Sequence, residues 1–265
     1  MNSGRANLIK KQKLAVVIII LLITALVAFW IYDSEYHYPN TEDGRLAAVK
    51  DYVLSAEDSM GHDLKIGTPV EVLAWQTLED RLYIFYRADN KYNVHGIVEL
   101  KKGWNGKYMP RKAEMDPTSR TAGVYLWKFA SKCTDDDYIM LAGKYDENIA
   151  YVDIEYSVTN FYNLHQEPIV KRYVYTENFL DIQDYRTAIE DIGFQYVDQI
   201  SIYADKTRIY NAQGKDITGQ YRVESVELSW GASKSTAEVF VLYLAMGFVI
   251  FFGLLIARFA WKEWK

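Results

Sequence analysis

The chain has 265 residues, with 30 Lys and Arg against 35 Asp and Glu. A net charge of −5 disfavours nucleic acid, whose binding rests on neutralising phosphates. Cys133 is the only cysteine, which excludes an intramolecular disulfide framework and leaves stability to a packed core.

The first element is Leu14–Tyr32, 19 residues without a formal charge. As a helix rising ~1.5 Å per residue it reaches about 28 Å, the depth of a bilayer's hydrocarbon core. Lys10, Lys11 and Lys13 precede it, and Trp30 and Tyr32 close it with the amphipathic rings that settle at interface depth. A cleaved signal peptide would have an apolar region of ~7–15 residues ending in an A-x-A-like site. The run is longer, and its end from Ala25 to Trp30 has no such site, so an uncleaved anchor is expected.

A second charge-free run of 19 residues, Val239–Ala257, is followed by Arg258, Lys262 and Lys265. Basic residues flank the outer ends of both runs, while Asp33, Glu35 and Glu238 flank the inner ends. By the positive-inside rule this predicts a cytoplasmic tail over 1–13, a transmembrane helix over 14–32, an extracytoplasmic domain over 33–236, a second transmembrane helix over 237–257 and a cytoplasmic tail over 258–265. Neither run carries the ionisable residues that transport paths need. Thr24 with Ala28, and Gly253 with Ala257, are small-xxx-small pairs that let helices approach closely, against each other or against a partner's helices. The segment between the spans holds ten more acidic than basic residues and no N-x-[ST] acceptor. An exported domain without disulfides or glycosylation acceptors suits a bacterium, and a Gram-positive one best.

Asn40, Thr41 or Asp43 can cap a helix over about 45–59 that carries Leu46, Val49, Val53 and Ala56 on one stripe and stops at Gly61. Such a stripe predicts a helix packed on a sheet. Strands are expected over Val70–Trp75, Arg81–Arg87 and Val94–Lys101, with a turn at Asp89-Asn90. Asn105-Gly106 between strand-like runs is a hairpin signal, completing an antiparallel meander that ends near Glu114. Residues 116–123 offer an internal boundary. Further strands are predicted over Val124–Phe129, Tyr138–Ala142, Ile149–Tyr156 and Ile169–Tyr175, with a turn at Asp146–Asn148. Phe179, Ile182, Tyr185, Ile189 and Ile192 predict a helix ended by Gly193. Tyr196–Tyr203 and Arg208–Tyr210 read as two strands, and Asn211–Lys215 as a hairpin turn with Gly214 at positive φ. A change of parity between Tyr221 and Trp230 predicts a bulge near Ser225, and Gly231–Thr236 a linker. The expected fold class is α+β, an antiparallel, strand-rich extracytoplasmic domain with two helices between two transmembrane helices.

The stretch Tyr83–Tyr108, with its FYRADN turn and the strand that runs through Glu99 to Gly103-Trp-Asn-Gly-Lys-Tyr108, and the stretch Tyr138–Tyr156 resemble a recurrent domain of uncharacterised Gram-positive membrane-anchored proteins. The resemblance implies a membrane-anchored, strand-rich outer domain. Its motifs are turn and strand signatures, so it implies no activity.

Chemistry is weakly marked. His37, His62, His95 and His165 are scattered without metal-ligand spacing. Asp135, Asp136 and Asp137 are adjacent, so in a strand they point to alternate faces instead of wrapping a calcium ion. Cys133 could be a nucleophile with His165, but reads better as a small buried hydrophobe. Gly231–Ser235 lacks the glycines of a phosphate loop, and no G-x-S-x-G or S-x-x-K marks a serine nucleophile. The excess of 22 Tyr and 7 Trp could stack on glycans, yet most tyrosines lie in strand-like runs where half-buried Tyr is favoured. No catalytic, cofactor-binding or metal-binding residue is assigned, and no cofactor is expected.

These features point to a non-catalytic membrane-anchored surface protein that binds, senses or serves as accessory subunit, with the lipid bilayer and another membrane or surface protein as partners. A surface enzyme acting on cell-wall polymer or peptide is the alternative from another class. A polysaccharide chain-length regulator shares the topology, but it would be a long helical bundle with a proline-rich second span, and Val239–Ala257 contains no proline.

Overall fold

The computed structural model describes residues 3–54, 68–88, 94–115, 124–130, 137–160, 166–195, 200–221, 230–233 and 236–263. Helix α1, Ser3–Glu35, carries the first apolar run. Thr41 then caps α2, Glu42–Leu54: its Oγ1 accepts from the backbone N of Gly44 at 3.2 Å, and its carbonyl accepts from Arg45 N. Strands β1 (Val70–Leu78), β2 (Arg81–Ala88), β3 (Val94–Lys102) and β4 (Tyr108–Met115) follow, then β5 (Val124–Ala130), β6 (Asp137–Gly143), β7 (Tyr151–Asn160), β8 (Ile169–Tyr173) and β9 (Phe179–Asp184). Helix α3 (Tyr185–Ile192), strand β10 (Ile200–Tyr210), a 3₁₀ turn at Thr218–Gln220, strand β11 (Trp230–Ser233) and helix α4 (Thr236–Glu263) complete the chain. The class is α+β with antiparallel sheets, as the strand and helix patterns predict, and four helices are present among the described residues. Helices α1 and α4 are long and apolar enough to cross a membrane.

The chain divides into two units, one made of Met1–Pro39, Gly103–Met109 and Lys234–Lys265, the other of Asn40–Lys102 and Pro110–Ser233. In the second unit the described strands form three sheets, ordered β1-β2-β3-β4-β11, β5-β6-β9 and β10-β7-β8. The middle one, β5-β6-β9, is covered on both faces. Along β6, Met140 and Ala142 join Tyr83, Phe85, Ile97 and Tyr125 in one core, while Ile139 joins Ile154, Tyr156 and Ile202 in another. Burial on both faces explains why Tyr138–Ala142 is an unbroken apolar run without alternation. Strand β7 alternates instead, with Val152, Ile154, Tyr156 and Val158 buried and Asp153 and Glu155 turned outward. Helix α2 lies on β1 and β2 through Ala48, Val49 and Val53, all buried, and the Arg45 guanidinium sits 4.3 Å above the Trp75 ring.

Glycine is required at Gly96 of β3, where a Cβ would lie 2.5 Å from the Tyr86 hydroxyl and 2.6 Å from the Glu114 carbonyl. The ring of Tyr86 therefore crosses this strand only because no side chain stands there. Gly193 ends α3 at φ 111°, donating to the Glu190 carbonyl, while Phe194 N donates to that of Ile189, a Schellman closure in which both apolar side chains enter the same core.

Four expectations are corrected. Phe179–Asp184 is a strand paired to β6, and only Tyr185–Ile192 is helical. The spacing of Phe179, Ile182 and Tyr185 fits a helix by chance. The boundary is drawn by Asp184, whose carboxylate accepts from Thr187 N at 2.9 Å and caps the helix there. Ile200–Tyr210 is one strand, in which a register shift at Ala204/Lys206 carries Asp205 past the pairing. Gly231–Ser233 belongs to β11, paired to Lys112–Glu114 of β4, where a linker was expected. Tyr221 follows a 3₁₀ turn and is not in a strand. The turn at Asp89-Asn90, the end of the first predicted helix beyond Leu54, the boundary at 116–123 and the bulge near Ser225 lie outside the described residues.

Candidate membrane interface

In the first unit α1 and α4 run antiparallel, since Thr24 meets Gly253 and Tyr32 clusters with Leu242. A Cβ on Gly253 would stand 2.1 Å from Thr24 Oγ1, so this glycine is what lets the two helices touch. Thr24 Oγ1 donates back to the Ile20 carbonyl at 2.8 Å, which satisfies its hydroxyl within the apolar helix. Ala28 and Ala257 are also buried. Both small-xxx-small pairs thus contribute to packing within the chain. The remaining faces are open. Leu22, Leu26, Phe240, Phe251 and Phe259 are all more than half exposed.

At the end of the α1 run the tip of the β3–β4 hairpin, Gly103–Met109, folds against the helix. Gly106 takes φ 79°, Gly106 N donates to the Gly103 carbonyl and Gly103 N to that of Lys107. The tip is joined to the helix by groups graded in polarity. Nearest the apolar run, the Trp104 ring lies 5.4 Å from that of Phe29 and 4.4 Å from that of Tyr32, and Trp104 N donates to Tyr32 Oη at 3.0 Å. Tyr32 stacks on Tyr36 at 4.5 Å. On the polar side Asn105 Nδ2 donates to Asp33 Oδ1 at 2.8 Å and to the Tyr36 carbonyl at 2.7 Å, and Lys107 Nζ bridges both Asp33 oxygens at 2.9 Å. Tyr38 and Tyr108 exchange backbone hydrogen bonds just beyond. Tyr32, Tyr36, Met109 and Leu242 form the buried centre.

Sequence reasoning took Asn105-Gly106 for a turn and assigned nothing to Trp104 or Lys107. The available signal was a tryptophan at the crown of a tight hairpin, where turn residues are normally small and polar.

The residues weighed for chemistry are dispersed. His37 lies against the Tyr38 ring at 3.9 Å. His95 stacks beside Tyr125 and Phe85, its Nδ1 3.2 Å from the Tyr125 hydroxyl. His62, His165, Cys133, Asp135 and Asp136 lie outside the described residues, and Asp137 opens β6 opposite Ala130. Among the described residues no three His, Cys, Asp or Glu side chains are grouped to hold a metal ion. Glu99 and Arg81 pair at 2.9 Å between β3 and β2, both mostly buried. Burial pushes the Glu99 carboxyl above its ordinary range, although Arg81 pulls the other way. In the second unit a cavity of about 50 Å³ lies beside Tyr156, Tyr173, Lys171 and Asp181, and Asp181 is the one carboxylate among its lining residues.

No protein-family model, no curated protein and no solved structure matches the chain.

Proposed function

We propose that the chain is a two-pass membrane protein with both termini cytoplasmic. Its strand-rich segment 33–236 stands outside the cell and works by association, as a binding or sensing module or as accessory subunit to another membrane or surface protein. The observation that carries this reading is the helix pair of the first unit. Two helices, each built around a charge-free run, pack through Thr24 and Gly253 and leave long apolar faces open. Soluble proteins do not expose contiguous apolar faces of that size, and lipid or a partner's helices would cover them. The strand-rich architecture speaks against a helical polysaccharide chain-length regulator.

The test compares substitutions by cellular phenotype and by retention at the membrane. If the protein acts by association, Gly253→Leu with Ala257→Leu abolishes the phenotype, whereas single carboxylate changes in 33–236 and Cys133→Ala have smaller effects. If the purified full chain turns over wall polymer or peptide, and one acidic substitution in 33–236 abolishes that turnover, the association reading is wrong.

A further inference from the structure

The geometry points to the tip of the β3–β4 hairpin as a membrane contact in its own right, with the Trp104 indole seated in the headgroup–acyl boundary of a lipid bilayer. The inference rests on the two-pass reading above and adds a third point of attachment, supplied by a segment 72 residues along the chain from Tyr32.

Three observations carry it. The first is depth. Trp104 is tied to Tyr32 through its backbone N and packs on Phe29 and Tyr32, so it stands level with the last turn of the charge-free run. Those residues span about 4.5 Å of helix at ~1.5 Å per residue, which fixes the height of the indole to within a single turn. The second is exposure. Trp104 is 65% exposed although one face of its ring is packed, and Trp30 at the same level is 71% exposed. On α4, Phe240 and Tyr243 are also half exposed or more, and Leu242 between them packs at Tyr32. Together these rings make an aromatic collar of the kind that settles at a lipid–water boundary.

The third is the ordering of polarity. From Phe29 through Tyr32 and Trp104 to Asp33, Asn105 and Lys107, the contacts pass from apolar to hydrogen-bonded to ionic over the same few ångströms. A bilayer interface changes polarity in that sequence. A partner's side chains would not impose such a gradient, so the occupant is a lipid surface. Because Asp33 neutralises Lys107, the contact is made by the ring and not by charge. It is therefore insensitive to salt and to anionic lipid.

The experiment uses the full chain reconstituted in phosphatidylcholine vesicles that contain lipid brominated near the headgroup end of the acyl chain. The emission lost in Trp104→Phe, taken as the difference from the unsubstituted chain, is expected to be blue-shifted, quenched by the bromolipid and unchanged by salt. A lost component that emits as indole in water, and is quenched by iodide instead, overturns the inference. So does one that becomes lipid-quenched only when anionic lipid is added. Trp30→Phe separates this failure from failure of the two-pass reading. If Trp30 reads lipid and Trp104 reads water, only the present inference falls; if both read water, the two-pass reading falls with it. A nitroxide on Trp104→Cys in a Cys133→Ser chain, read by oxygen against nickel-chelate accessibility, reports the same depth independently of the phenylalanine variant.

Discussion

Lys107 Nζ lies 2.9 Å from each carboxylate oxygen of Asp33, and Asn105 Nδ2 donates to Oδ1 of the same carboxylate at 2.8 Å. A residue just past the apolar run is thereby joined to one that the chain reaches only after α2 and three strands. The two contributions to this joint differ in kind. The Lys107–Asp33 pair is partly exposed and screened by water, whereas Asn105 satisfies the Tyr36 carbonyl and the Lys107 N–H together with Asp33.

Asn105→Ala should therefore destabilise the first unit by about 1–3 kcal/mol, the cost of leaving several partly buried partners unpaired. Lys107→Met should cost less. Thermal unfolding of the full chain in mild detergent ranks the two, and the reverse order would show that charge dominates the joint.

Gly253→Leu should separate α1 from α4, because even a Cβ at that position would stand 2.1 Å from Thr24 Oγ1. Overpacking of this kind typically costs ~1–3 kcal/mol. Gly247→Leu is the internal control, since a Cβ there meets nothing within 4 Å. Detergent melting curves should fall for the first variant and stay near the parent for the second. Equal effects would mean that glycine matters for the helix itself and not for the contact.

A third expectation concerns alkaline pH. Burial pushes the phenols of Tyr83 and Tyr173 from 10 up to about 12. A group whose folded pKa is raised contributes stability that is complete below its unfolded pKa and is lost as pH climbs through the folded value. Stability should thus decline between pH 10 and about 12, and Tyr83→Phe or Tyr173→Phe should flatten that decline. Unfolding midpoints against pH, with tyrosinate absorbance recorded in parallel, give the check.

Local signals were legible in the sequence wherever one residue decides the backbone. Gly106 at φ 79°, Gly193 at φ 111° and Gly214 at φ 73° all stand where turn chemistry predicts positive φ. Both long helices follow from apolar runs that no other element explains. Short apolar segments were ambiguous. Phe179–Asp184 satisfies a helical spacing and a strand equally, and pairing with β6 decides it. The continuity of β10 through Asp205 was hidden because a bulge breaks the alternation by which strands are read. The division of the strands into three sheets, and the seating of Trp104 on Tyr32, are long-range relationships that leave no local trace.

The central claim is that α1 and α4 both cross the membrane and leave segment 33–236 outside, and topology reporters on the full chain test it most directly. A reporter fused after Lys265 should read cytoplasmic and one inserted at Thr118 should read external, with the N-terminus intact. A Thr118 reporter that reads cytoplasmic, or a mature chain beginning at Phe29 after cleavage at Ala28, would contradict the account.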